Sequence, residues 1–236
     1  MDDTQRALAY LRRDPILYIN LLEVLRRGSG ELLWAAEDGV LLHDRGSGSY
    51  LFSARNQAAA SRIFHLLPPD CELMTGHEMW YYEELKARFG YEGREIVYSM
   101  VWTKDAPPEV PGFGGELRLL GPEWAEWVEA HYTNSFAGVP YIAEAIGRGM
   151  LGAFVDGRPA GFAGFHDEGS IGMLEVLPGY RRRGIGEALE CGMIRLALEK
   201  GQYAFGQVVT DNRPSLVLQE KMGMTRSKEP LFWLFP

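Results

Sequence analysis

Residues 174–189 read LEVLPGYRRRGIGEAL, and few folds accommodate that order of residue types. Apolar, strand-forming residues run to Val176, Pro178 and Gly179 end the strand, and three arginines follow. Gly184-Ile185-Gly186 then opens a segment in which Ile185, Ala188, Leu189, Gly192 and Leu196 recur at helical spacing. The segment therefore reads as a strand, a tight glycine-bearing turn and the start of a helix. The first N–H groups of such a helix have no partner inside it, and glycine lets a ligand come close to them. With the helix dipole behind them, they make a seat for phosphate oxygens. Two other phosphate-binding patterns are excluded. A dinucleotide fingerprint would need glycine where Leu189 stands, and a P-loop needs a Gly-Lys-Ser/Thr triplet, which occurs nowhere.

The net charge of −8 argues against a general nucleic-acid binder, which would neutralise phosphates with a basic face. Arg181 to Arg183 oppose that global sign, as one anionic cofactor would require. Cys71 and Cys191 are far apart, sit in apolar surroundings and lack metal-ligand neighbours, so two buried free thiols and no metal site are expected. The acidic, amphipathic start of the chain is not a secretory signal, and no apolar run approaches the length of a spanning helix. The expected compartment is the cytoplasm, with no membrane partner.

Along the chain, helices are expected within 4–27, interrupted near Asp14-Pro15, followed by a hairpin turning at Asp38-Gly39. A third strand at 49–53, a helix over 55–66, a strand at 71–75, a helix over 78–89 and strands within 94–103 complete a first half. Residues 104–115 hold three prolines and three glycines and show no periodic pattern, which marks a linker. The order then repeats. A strand at 117–120 and helices within 122–148 precede a hairpin turning at Asp156-Gly157. After it come the strand 170–176, a helix over 184–200, a strand at 203–209, a helix over 213–222 and a closing strand at 231–235. Leu85-Lys86-Ala87-Arg88-Phe89-Gly90 and Leu218-Gln219-Glu220-Lys221-Met222-Gly223 end the matching helices alike. The domains expected are thus 1–103, the linker 104–115, and 116–236, an internal duplication.

Arg181-x-x-Gly184-x-Gly186 after Val176-x-Pro178, with Asn212-Arg213-Pro214-Ser215 and Leu218 to Met224 downstream, resembles the GNAT family of N-acetyltransferases. The resemblance implies two tandem GNAT-like α/β folds, each a mixed central sheet flanked by helices. The first half has Ser53-Ala54-Arg55-Asn56-Gln57 where the second has its glycine turn, so it reads as a degenerate copy without a cofactor site. Two-domain glycine N-acyltransferases are similar in layout.

For acetyl-CoA, the resemblance implies that Arg181, Arg182, Arg183, Gly184, Ile185, Gly186 and Glu187 hold the pyrophosphate. Leu174 and Val176 would pair with the pantetheine arm, and Asn212 and Ser215 would complete the cofactor site. A carboxylate within an apolar strand is costly unless solvated or paired, which makes Glu175 the first choice of base, ahead of His166, Asp167 and Glu168. Gln219 stands where the family has tyrosine. An amide cannot protonate a thiolate, although it can donate a hydrogen bond to sulfur. Tyr132, Tyr141 and Tyr203 are the phenols that could stand in, and Tyr132, Phe136 and Tyr141 offer walls for an acyl acceptor. The implied activity is direct transfer of acetyl from acetyl-CoA to a primary amine of a small molecule or peptide. A silent acyl-CoA sensor and a longer-chain N-acyltransferase are the alternatives, and a homodimer is left open.

Overall fold

The computed structural model describes residues 2–134 and 138–236. In chain order the elements are α1 (Asp3–Leu11), α2 (Ile19–Arg27), β1 (Gly30–Ala36), β2 (Gly39–Asp44), β3 (Tyr50–Ala54), α3 (Gln57–Leu66), β4 (Met74–Gly76), α4 (Tyr82–Phe89) and β5 (Gly93–Val101). There follow β6 (Glu116–Leu119), α5 (Ala125–His131), α6 (Gly138–Arg148), β7 (Met150–Val155), β8 (Arg158–Phe165), β9 (Ile171–Val176), α7 (Ile185–Glu199), β10 (Phe205–Val209), α8 (Arg213–Met222), β11 (Thr225–Arg226) and β12 (Leu231–Phe235). Single 3₁₀ turns precede α4, α5 and the arginine turn at Met79–Tyr81, Pro122–Trp124 and Pro178–Tyr180. Most expected elements are found within a few residues, although the strands expected within 94–103 are the single strand β5.

The chain forms two compact units, Met1–Val101 with Gln207–Pro236, and Trp102–Gly206. In the first, β1, β2 and β3 run antiparallel, and β3 pairs with β4 in parallel. β12 then lies antiparallel between β4 and β5, and β11 adds to β5. Side chains alternate across this sheet as the two-residue strand period requires. Val40, Leu42, Leu51 and Leu231 pack with Tyr10, Leu21 and Val24 of α1 and α2. Leu41, Phe52, Phe232 and Leu234 pack on the other face with Ile63, Phe64 and Leu85 of α3 and α4.

In the second unit β6, β7, β8 and β9 are antiparallel, and β9 meets β10 in parallel at Ile171 and Gly206. Met150, Phe154, Phe162 and Met173 pack against Val128, Ile142 and Ala145 of α5 and α6. On the opposite face α7 comes so near that a Cβ at Gly192 would lie 2.7 Å from Leu117 and Leu151. The antiparallel run β1–β2–β3 with parallel β4 thus has a counterpart in β7–β8–β9 with parallel β10, to which the second unit adds β6. The last thirty residues differ from the expected division, because residues 207–236 pack in the compact unit of the chain's first half. Their reason is β12. Its apolar side chains supply both faces of that unit's sheet, while its backbone pairs with β4 on one edge and β5 on the other.

Candidate acyl-CoA site

Strand β9 carries an irregularity where the resemblance places the thioester. Its register against β8 shifts between the Phe162–Glu175 and Gly164–Gly172 pairs, and Met173 takes φ 50°. That left-handed backbone at a non-glycine residue is a bulge, which re-aims the strand beyond it. Within this unit β9 meets β10 at Ile171 and Gly206, and Leu174, Glu175 and Val176 follow beyond that pair on β9.

The turn after β9 leaves a continuous row of backbone donors. Tyr180 N–H donates to the Leu177 carbonyl at 2.8 Å, and Ala188 N–H donates to the Gly184 carbonyl at 3.0 Å. Between them the N–H groups of Arg181 to Glu187 meet no acceptor among the described residues. Gly184 is the N-cap of α7 with φ 78°, a conformation glycine adopts without steric cost, and no side chain caps the helix. A Cβ at Gly184 would meet only Phe113 at 3.9 Å, and one at Gly186 only Val176 at 3.8 Å. The protein's own packing therefore does not demand glycine at 186. What the small residues leave is open space in front of unpaired donors, which suits an anion of phosphate size.

The three arginines have different fates. Arg181 folds back, donating through Nε to the Val176 carbonyl at 2.9 Å and pairing through Nη2 with Glu175 Oε1 at 3.3 Å. Arg183 lies over the Tyr180 ring, 5.5 Å from its centroid, and Arg182 is exposed with φ 61°. Glu187 sits in the first turn of α7, where a carboxylate complements the helix dipole. Glu175 is held on both oxygens, since Thr133 Oγ1 donates to Oε2 at 2.7 Å. Thr133 is a residue that sequence reasoning missed, for its place beside Glu175 depends on how the segment after α5 returns to β9.

The other candidate bases stand apart from Glu175. His166, Asp167 and Glu168 occupy the opposite end of the β8–β9 hairpin, beyond Ile171, which is itself about 13 Å along the strand from Glu175 at ~3.3 Å per residue. There the His166 ring covers Gly172, Tyr141 Oη lies 3.3 Å from His166 Nδ1, Asp167 pairs with Arg148 at 2.6 Å, and Glu168 accepts from Ser170. Burial, with the nearby Asp167 and Glu168 carboxylates, pushes the Tyr141 phenol well above its ordinary range. Tyr132 packs edge-on against Phe162, Tyr203 is largely exposed, and Phe136 lies outside the described residues.

Asn212, Ser215 and Gln219 lie in the first unit, on or beside α8. Asn212 caps that helix by accepting from Ser215 N–H at 3.3 Å. Gln219 is buried, and its Oε1 has no hydrogen-bond partner among the described residues. A buried carbonyl left without a donor costs free energy, and a bound ligand's N–H would relieve it. The structure thus gathers Leu174 to Glu187 in one unit, and Asn212, Ser215 and Gln219 in the other. Among the described residues no group of three or more His, Cys, Asp or Glu side chains is placed to hold a metal, and no helix is long and apolar enough to cross a membrane.

A family model described as "Acetyltransferase (GNAT) family" matches residues 118–224. No curated protein matches the chain. Among solved structures, a Drosophila protein aligns over 100% of this chain and 97% of its own, with TM-score 0.71 and 18% identity. A GCN5-related N-acetyltransferase-like protein from Streptococcus suis aligns over 98% and 100%, with TM-score 0.56 and 13% identity. A GCN5-related N-acetyltransferase from Kribbella flavida aligns over 93% and 95%, with TM-score 0.58 and 15% identity. At such identities the likeness is one of fold. The family model, over a segment that includes the arginine–glycine turn, makes residues 118–224 a domain of the GNAT acetyltransferase family.

Proposed function

We propose that the protein is an N-acetyltransferase, moving acetyl from acetyl-CoA directly to a primary amine of a small molecule or peptide. The observation that carries this reading is the row of unpartnered N–H groups from Arg181 to Glu187 at the head of a 15-residue helix. Acetyl-CoA would supply a thioester whose acyl carbon an amine can attack. Around it, the N–H row would hold the diphosphate, with Arg182 adding positive charge. The backbone of β9 at Leu174 and Val176 would pair with an amide-bearing arm as an added strand does. Glu175, fixed by Thr133 and Arg181, would take the proton that the incoming ammonium must lose. Asn212, Ser215 and Gln219 enter the proposal through the resemblance of their motif.

Direct transfer is favoured over a cysteine-bound intermediate. Cys71 and Cys191 are both buried, and burial pushes each thiol up to about 11, so neither supplies a thiolate at neutral pH. Two free thiols also accord with the cytoplasm as the proposed compartment.

A second reading, an acyl-CoA-binding module without turnover, is favoured by Gln219, an amide where the family has a phenol. Thiol release from acetyl-CoA, followed with a panel of amines, amino acids and peptides, separates the two. Saturable release with at least one amine supports the transferase. Tight CoA binding with no release on any amine supports the module, and absence of CoA binding removes both.

A further inference from the structure

The first unit holds a cavity of about 350 Å³ that the acyl-transfer reading leaves unused. Its lining includes Leu17, Tyr18, Glu78, Met79, Trp80 and Glu229. Glu78 is the unusual member. Its Oε1 accepts from Ser53 Oγ at 2.5 Å and from Tyr18 Oη at 2.9 Å, and its Oε2 accepts from Tyr81 Oη at 2.5 Å and from Ala54 N–H at 3.0 Å. All four donors are neutral, and no Lys or Arg forms an ion pair with Glu78 among the described residues. Burial raises the pKa of this carboxyl while those hydrogen bonds lower it.

Nor does the adjoining His77 supply the missing positive charge. It is fully buried, with Nδ1 2.7 Å from the Phe52 carbonyl and Nε2 2.8 Å from the Asn20 side-chain amide. Burial pushes its pKa down to about 4, so the ring is neutral near pH 7. A carboxylate withdrawn from water is ordinarily matched by a cation, and among the described residues neither of the two carboxylates that line this cavity, Glu78 and Glu229, forms an ion pair.

The remaining walls describe the ligand. Trp80, about half exposed, and Tyr18 offer aromatic surface, Leu17 and Met79 offer aliphatic surface, and Glu229 adds a second carboxylate. Aromatic rings beside carboxylates recognise alkylated or primary ammonium groups, and a cavity of this volume is at the small end of ligand sites. We propose that this cavity binds a small organic ammonium ion, with its charge towards Glu78 and Glu229 and its apolar part among Trp80, Tyr18 and Met79. The proposal does not depend on acyl transfer in the other unit.

Calorimetry without CoA tests it, using tyramine and choline against their neutral counterparts tyrosol and 3,3-dimethyl-1-butanol. At least one ammonium should bind with 1:1 stoichiometry and about tenfold tighter than its counterpart. Trp80→Ala and Glu229→Gln, both at exposed positions, should each weaken it by about tenfold without altering the fold. Glu175→Gln should leave it unchanged, which separates this cavity from an acceptor site in the other unit. The proposal is overturned if neither ammonium is preferred over its counterpart, or if binding survives unchanged in both cavity variants.

Discussion

Arg181 closes on Glu175 across the turn that follows β9, with Nη2 3.3 Å from Oε1 while its Nε holds the Val176 carbonyl. The arginine that opens the R-x-x-G-x-G pattern is therefore tied to the strand, leaving the backbone behind it to face outward. Its partner Glu175 is steadied on the other oxygen by Thr133. Under the proposed function, that two-sided hold would orient the carboxylate as a proton acceptor. Glu175→Gln should lower kcat by about 10²–10⁴-fold while CoA affinity stays the same. A kcat within about threefold of the parent would place the base elsewhere, since positioned bases contribute far more than that.

Thr133 acts only through Glu175, so its removal should be milder. Thr133→Val keeps the side-chain shape and deletes the 2.7 Å hydrogen bond. The expected result is a kcat lowered by about tenfold, less than in Glu175→Gln, with little change in KM for acetyl-CoA. An unchanged kcat would mean that the contact has no part in orienting Glu175.

Gln219 offers an amide where a phenol would donate a proton, and its Oε1 lacks a partner. Gln219→Tyr should speed acetyl transfer if the departing thiolate is waiting for an acid, by up to about 10²-fold. Stopped-flow measurement of thiol release reads this directly. Unchanged release in a variant that still binds CoA would show that no acid is missing there.

Glu190 on α7 is fully buried, its Oε1 has no partner among the described residues, and desolvation pushes its pKa from 4.5 up to about 7. A carboxyl whose folded pKa is raised contributes its stability fully below pH 4.5 and loses it as pH rises through about 7. Across that interval the cost reaches about 3 kcal/mol. Glu190→Gln should therefore melt higher than the parent at pH 8.5 and match it near pH 4.5. An equal difference at both pH values would contradict the assignment.

The turn was legible in the sequence because its parts are local. Pro178 ends a strand, Gly184 meets a positive φ, and Ile185, Ala188 and Leu189 recur at helix spacing within one stretch of chain. The bounds of α8 were legible for the same reason, with Asn212 and Pro214 at its start and Gly223 at its end. The destination of β12 was not. Leu231 to Phe235 read as an apolar strand, but period and apolarity do not say which sheet a strand joins, and β4 and β5 receive it. Likewise the bulge at Met173 has no sequence signal, because nothing about methionine favours φ 50°. The donors around Glu78 come from turn, strand and 3₁₀ segments that only the fold brings together.

Gly186 gives the most direct test, because a Cβ there meets nothing closer than Val176 at 3.8 Å while standing before the unpaired N–H row. Calorimetric titration of CoA into the parent and into Gly186→Val, alongside their melting temperatures, separates binding from folding. The result expected is saturable CoA binding by the parent and none by the variant, with the variant still folded. Equal affinity in the two proteins would contradict the placement of the diphosphate on residues 181–187, and with it the acyl-CoA site itself.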